Sequence, residues 1–269
     1  MVQPPKLYGM PLSPAFRSVA WALLQKGVAF DVQWIVPGAT NKRGSRHPDF
    51  LAKTFSRTHK IPIYEEKGGQ CLTISEAPAT LIYLCEQNGW NEWYPPFSPS
   101  TATTKTRIDS YLHWHHSVTR ALSLLSRPIL RPDLNHTKQP QSSSSSSLAP
   151  EKKAAESALL RLETGWLQGS LNVGGYFIAG TDQPTIADLL AYEEVIQATI
   201  LGKVDLVQDD TYKLLQAWTE RMQELPYHEA AHAALFSLGA MMASNPTSIT
   251  MSHLGAATRE GLEAIKAAQ

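Results

Sequence analysis

The stretch KLYGMPLSPAFRSVAWALL (residues 6–24) decides the reading of this chain. Its first residues, Lys6-Leu7-Tyr8, read as a short buried strand. Phe16, Val19, Ala20 and Leu23 then recur at the spacing of one helix face. The residues between form a turn that ends in Ser13-Pro14, the form of an N-cap followed by proline at the first helical position. The pattern predicts a helix over 15–26, terminated at Gly27. A strand, a turn and a helix N-terminus thus meet at a serine.

Outward from this unit, VAFDVQWI (28–35) is β-branched and aromatic enough for a second strand. A loop with Pro37, Gly38 and Gly44 follows, with a short helix near 48–54. KIPIYEE (60–66) and CLTI (71–74) read as a hairpin across the KGG turn at 67–69. SEAPATLIYLCEQ (75–87) is the next helix, with Ser75 as its expected N-cap. The order βαβ-α-ββα describes a small mixed sheet with helices on both faces.

QNGWNEWYPPFSPS (87–100) is a linker with aromatic anchors, and after about 103 the pattern is helical. Ile108, Tyr111, Leu112, His115, Val118, Leu122 and Leu125 form a stripe over 104–125. Further helices are expected at 151–169, 184–200, 210–224 and 227–240. RPDLNHTKQPQSSSSSSLAP (131–150) holds six consecutive serines and buries too little apolar area to offset its ordering entropy, so it reads as a flexible surface loop. The expected fold is an α/β N-terminal domain (1–86), a linker (87–103), an all-α domain (104–245) and a tail (246–269) with one more helix at 255–268.

Charge and composition narrow the function classes. The 269 residues carry a formal net charge of zero, which argues against a broad electrostatic footprint for nucleic acid or anionic membrane. No apolar run approaches the ~18 residues of a membrane span, and the N-terminal MVQPPKLYG has no targeting pattern. A soluble cytoplasmic protein with no nucleic-acid or membrane partner is expected. The two cysteines, Cys71 and Cys85, form no CxxC motif, so neither a zinc knuckle nor a dithiol redox site is encoded. HWHH (113–116) lacks the i,i+4 spacing that would set histidines on one helical face, and no metal site is expected.

The motifs taken together are LYGMPLSPAFR (7–17), HPDF (47–50), HKIP (59–62), SEAPATLIYL (75–84), NEWYP (91–95), RIDSYLHWHH (107–116) and FIAGTDQPTIADLL (177–190). In this order the chain resembles a cytosolic glutathione transferase, and is most similar to the theta class in its S-x-x-x-R first turn, WYP linker and YLxW helix. The resemblance implies a thioredoxin-like glutathione-binding domain followed by an all-helical domain. It also implies a homodimer that needs no cofactor beyond glutathione as co-substrate. The implied activity joins the glutathione thiolate to small hydrophobic electrophiles, with reduction of organic hydroperoxides as a second use.

In that resemblance Ser13 falls at the catalytic serine and donates to the sulfur of glutathione. A free thiol titrates near ~8.5. A hydrogen bond to its anion contributes roughly 1.5–3 kcal/mol, enough, with the helix N-terminus, to lower it by roughly one to two units. The residue pattern alone equally fits a plain N-cap, and Tyr8 at the strand end is a weaker rival for the role. Ile61 precedes Pro62, which resembles the family's cis-proline, and pairs by main chain with the cysteinyl part. Glu76 and Ala77 hold the γ-glutamyl end, Ala77 standing where the family carries a serine or threonine hydroxyl. His47 and Lys60 reach the glycyl carboxylate, and Asp109 matches an acidic position contacting glutathione across the dimer. Met10, Leu12, Tyr111, Trp114 and His115 are candidates for the electrophile pocket, while TIAD (185–188) is a capping box with a folding role. The alternative is a non-catalytic module of the same fold; Ala77 and the serine-rich loop point that way. Ser13, Lys60, Pro62 and Glu76 together point to the enzyme.

Overall fold

Lys6–Gly9 forms strand β1 of a four-stranded sheet in a computed structural model of the chain, which describes residues 3–54, 57–67, 71–131, 149–206, 210–244 and 249–269. Most of the serine-rich stretch, 132–148, lies outside the described residues. The other strands are β2 (Asp31–Trp34), β3 (Ile63–Lys67) and β4 (Cys71–Ser75), in the order β2-β1-β3-β4. β1 runs parallel to β2 and antiparallel to β3, which pairs antiparallel with β4. Helix α1 (Pro14–Gln25) makes the parallel crossover, with everything from Phe16 to Leu24 buried. Short α2 (Pro48–Leu51) and then α3 (Ala77–Asn88) complete the thioredoxin-like arrangement expected from the sequence.

Ser75 is not the N-cap of α3. It is the last residue of β4, opposite Ile63, and Glu76 separates strand from helix with a left-handed φ of 74°. A side-chain-bearing residue adopts that conformation at a cost and seldom.

The contacts divide the chain into two compact units. The first holds the chain up to Asn88 together with Pro226–Ser237 and Ala256–Gln269; the second holds Gly89–Leu225 and Leu238–Gly255. Stretches placed by sequence in the helical domain and tail therefore return to the sheet-bearing unit. The reasons are contacts between residues far apart in sequence: Trp21 Nε1–H donates to the Pro226 carbonyl at 2.8 Å, its ring meets His232 edge-on, and Phe30 N–H donates to Gln269 Oε1 at 3.1 Å.

The second unit contains α4 (Ala102–Ser117), α5 (Ser123–Leu130), α6 (Ala149–Arg161), α7 (Gln168–Leu171), α8 (Ile186–Ile200) and α9 (Lys213–Gln223). Helices α10 (His228–Ser244) and α11 (Met251–Ala267) follow. The helix expected over 104–125 is broken at Val118, which leaves helical geometry at φ −125°, ψ −60°. Thr119 then meets the Tyr111 hydroxyl at 3.2 Å and opens a tighter 3₁₀ turn, Thr119–Leu122.

α8 is buried from Ile186 through Ala198, and its N-terminus is the polar centre of this unit. Asp188 Oδ2 accepts from the Thr185 N–H and hydroxyl, both at 2.9 Å, while Thr185 Oγ1 accepts from Ala187 N–H. Asp188 Oδ1 accepts from Ile178 N–H at 2.8 Å and Trp218 Nε1–H at 3.0 Å. The capping box of the sequence is thus also a cross-link between α8, α9 and the chain before them. Glu163 does the same for α9, accepting from the N–H groups of Leu214 and Leu215 at 2.9 and 2.7 Å.

Asp188→Ala orphans four buried donors. At roughly 1 kcal/mol each it should lower stability by about 3–4 kcal/mol. Urea unfolding of the parent and variant measures this, and a loss under about 1 kcal/mol would contradict the assigned role.

Candidate functional site

Ser13 stands at the hinge between β1 and α1. A turn brings it there, closed by Ser13 N–H donating to the Met10 carbonyl at 3.0 Å, and its own carbonyl accepts from Arg17 N–H at 3.0 Å. Its backbone is extended (φ −87°, ψ 124°), as an N-cap requires, yet its side chain makes no capping hydrogen bond. Pro14 at the first helical position has no N–H to satisfy, and the next amides face outward from the helix start. The half-buried hydroxyl and the positive end of α1 are both left for something else.

Tyr8 differs. Its hydroxyl donates to Glu65 Oε1 at 3.0 Å, Glu65 Oε2 accepts from Lys53 Nζ at 2.8 Å, and Lys53 also lies 4.3 Å from the centre of the Tyr8 ring. Burial, opposed by Lys53 and aided by Glu65, holds the phenol above its ordinary value. The Tyr8 proton is engaged within the sheet.

Cis-Pro62 lies just before β3, and Ile61 stands beyond the final register pair of Tyr8 with Ile63. Ile61 packs on the cluster of Tyr8, Ile35, Phe50 and Ile63, which seats α2 against the sheet. His47 caps α2: its Nδ1 accepts from Asp49 N–H at 3.3 Å. Lys60 is 70% exposed and its ammonium lies 3.7 Å from Glu76 Oε1. Glu76, in its left-handed conformation, immediately precedes the buried Ala77 at the start of α3. The sheet-bearing unit therefore holds Ser13, His47, Lys60, Ile61, Pro62, Glu76 and Ala77, with the Lys60–Glu76 contact direct.

Asp109 belongs to the helical unit, where its carboxylate accepts from the Tyr94 hydroxyl at 2.8 Å and Lys105 lies over the Tyr94 ring. Of the residues expected to line an electrophile pocket, Met10 and Trp114 keep exposed surface. Leu12, Tyr111 and His115 are 1%, 0% and 3% exposed and act as core residues, because their apolar phase faces inward. Among the described residues no group of three or more His, Cys, Asp or Glu side chains converges to hold a metal ion. Cys71 and Cys85 are both thiols.

Sequence reasoning passed over two features. Lys53 and Glu65 carry no motif, and only their contacts with Tyr8 and with each other reveal them. Arg17, the arginine of the S-x-x-x-R turn, is fully buried and its Nη1–H donates to the Pro11 carbonyl at 3.2 Å. The signal was present: Arg17 falls three and seven residues before Ala20 and Leu24, on a face that is otherwise apolar.

The family model "Glutathione S-transferase, N-terminal domain" matches residues 7–91. The chain is 28% identical to glutathione S-transferase T1 of Arabidopsis thaliana over 87% of its own length and 89% of that protein. It is 29% identical to T2 of the same plant over 86% of its own length, but spans only 37% of that longer relative. Relatives from chicken and rat bear the name theta. Human glutathione transferase theta-2, solved in complex with glutathione, superposes with a TM-score of 0.71 at 22% identity, covering 97% of this chain and 99% of that one. These findings bear out the expected family resemblance and fold.

His115 carries a pH prediction. Burial first, then the charges of Arg120 and His116, lower its imidazole to about 3 from an ordinary 6.5. Glu194, 4.0 Å from it, is already engaged by Arg120. The unfolded chain binds this proton more readily, so the stability that neutral His115 contributes is full above pH 6.5 and is lost as pH falls toward 3. The slope is up to about 1.4 kcal/mol per pH unit. His115→Phe should flatten acid unfolding in that window, and an unchanged profile would contradict the assignment.

Proposed function

We propose, taking residues 7–91 as the glutathione S-transferase N-terminal domain they match, that this chain is a theta-like glutathione transferase whose thiolate is stabilised by Ser13. The observation that carries the reading is the contrast between two hydroxyls. Ser13 caps nothing at the N-terminus of α1, whereas Tyr8 is engaged with Glu65. A hydroxyl cannot exchange disulfides as a cysteine there would. It donates to the thiolate of a ligand, and that thiolate is the nucleophile. The thiol proton leaves to solvent, the sulfur bonds to the electrophilic carbon of a small hydrophobic substrate, and the leaving group departs with its electron pair. As a second use, the thiolate attacks the terminal oxygen of an organic hydroperoxide, the O–O bond breaks to release the alcohol, and a second glutathione thiol converts the sulfenic acid formed to the disulfide and water.

Glutathione bears one ammonium and two carboxylates, and the proposed subsites answer each. Glu76 takes the ammonium, the N-terminus of α3 at Ala77 takes the γ-glutamyl carboxylate, and the Ile61 main chain pairs with the cysteinyl unit. Lys60, with His47, takes the glycyl carboxylate. Lys60 and Glu76 now neutralise each other, and the ligand replaces that exposed pair with one partner for each charge. Such a pair costs little to open. Asp109 is the proposed contact across a homodimer, and the cytoplasm is the proposed location.

Ala77 favours a second reading, the non-catalytic module. A hydrogen bond from a hydroxyl to the γ-glutamyl carboxylate contributes roughly 1.5–3 kcal/mol, and Ala77 cannot make one. The backbone donor remains, so weaker binding is expected rather than none.

The test is retention on immobilised glutathione, followed by conjugation to a small organic halide at neutral pH. The parent should be retained and active, with Ser13→Ala about eight- to twenty-five-fold slower at pH 7, the loss of thiolate when a thiol lowered by roughly one to two units returns to ~8.5. Tyr8→Phe should stay close to the parent rate. Failure to bind would favour the module, and an undiminished Ser13→Ala would remove Ser13 from the mechanism.

A further inference from the structure

Pro11, two residues before Ser13, is held from two sides within the sheet-bearing unit. From α1 the buried Arg17 donates Nη1–H to the Pro11 carbonyl at 3.2 Å. Arg17 is one helical turn beyond Ser13, and helical side chains lean toward the N-terminus, which places the guanidinium over the turn. From the far end of the sequence comes α11. A Cβ built on its Gly261 would lie 3.0 Å from Pro11 Cβ, 2.5 Å from Ala234 Cβ and 3.1 Å from the Ala234 backbone nitrogen. Glycine is therefore the residue that lets α11 rest on the Pro11 turn and on α10 together.

α11 has little freedom to retreat. Ser237 of α10 donates to Glu260 at 2.6 Å, beside Gly261, and Gln269 just past the helix accepts from Phe30 N–H at 3.1 Å. Ala257, Thr258 and Ile265 are wholly buried. A displacement at Gly261 is consequently passed to its neighbours, of which Pro11 belongs to the turn that carries Ser13.

We infer that Arg17 and Gly261 are positioning residues for Ser13, clamping Pro11 so that the C-terminal helix α11 sets how strongly the ligand thiol is acidified. Neither touches the sulfur; both act through the main chain of the turn. The inference rests on the Ser13 reading above. A hydrogen bond to a thiolate weakens steeply with distance and angle, so a small shift of the turn reaches the chemistry as a change in thiol pKa.

The experiment is a pH titration of bound glutathione, read by the ultraviolet absorbance of the thiolate, for the parent, Gly261→Ala and Arg17→Met, with thermal unfolding in parallel. Alanine is a better helix former than glycine, so Gly261→Ala leaves α11 intact while adding one methyl at the contact. The expected result is a bound-thiol pKa raised by about half a unit to one unit in both variants, a roughly three- to tenfold loss of thiolate below it. Should Arg17→Met fail to fold, Gly261→Ala alone decides. Folded variants with the parent's thiol pKa would overturn the clamp and leave the Ser13 reading standing. A parent that itself shows no depressed thiol pKa would overturn both.

Discussion

Gly9 has no side chain because Phe16 occupies the space where one would lie: a Cβ there would meet the ring at 2.6 Å. The placement of Ser13 follows from that close approach of strand end to helix. β1 can run directly under α1, the chain reverses in a turn from Met10 to Ser13, and the serine arrives at the positive end of a buried helix. Had the strand ended farther from Phe16, the short turn from Met10 could not set Ser13 directly at the start of α1. The same packing explains why α1 tolerates a fully buried arginine, since a carbonyl of the turn is within its reach.

Polar groups in this chain divide between those committed to the fold and those left over. Asp188 receives four donors, Glu163 caps α9, and Tyr8, Lys53 and Glu65 satisfy one another across the sheet. Burying such groups is tolerable because each finds a partner. Against that background a helix start whose Ser13 hydroxyl caps nothing, and a left-handed Glu76 whose carboxylate meets only the exposed Lys60 ammonium among the described residues, stand out. On the proposed reading, these are the positions that a ligand occupies.

Most of the fold was legible because its signals are local. The apolar stripe of α1, the hairpin spacing around KGG and the TIAD box each dictate structure within a few residues. What escaped was set by partners distant in sequence. Ser75 reads as an N-cap, but its pairing with Ile63 keeps it in β4 and leaves Glu76 to make the turn. The return of Pro226–Ser237 and Ala256–Gln269 to the sheet-bearing unit depends on Trp21, Phe30 and Pro11 contacts that no window of sequence contains. At the site, Ser13 and Glu76 were readable as residue types. Whether Ser13 or Tyr8 had a hydroxyl to spare was not, since that depends on Glu65, 57 positions from Tyr8.

The central claim is that Ser13 supplies its hydroxyl to a ligand sulfur. A crystal structure of the chain with glutathione tests it most directly. The account predicts the cysteinyl sulfur within hydrogen-bonding distance of Ser13 Oγ, with Tyr8 still donating to Glu65. A sulfur directed to Tyr8, or a Ser13 hydroxyl turned back onto the amides of α1, would contradict it.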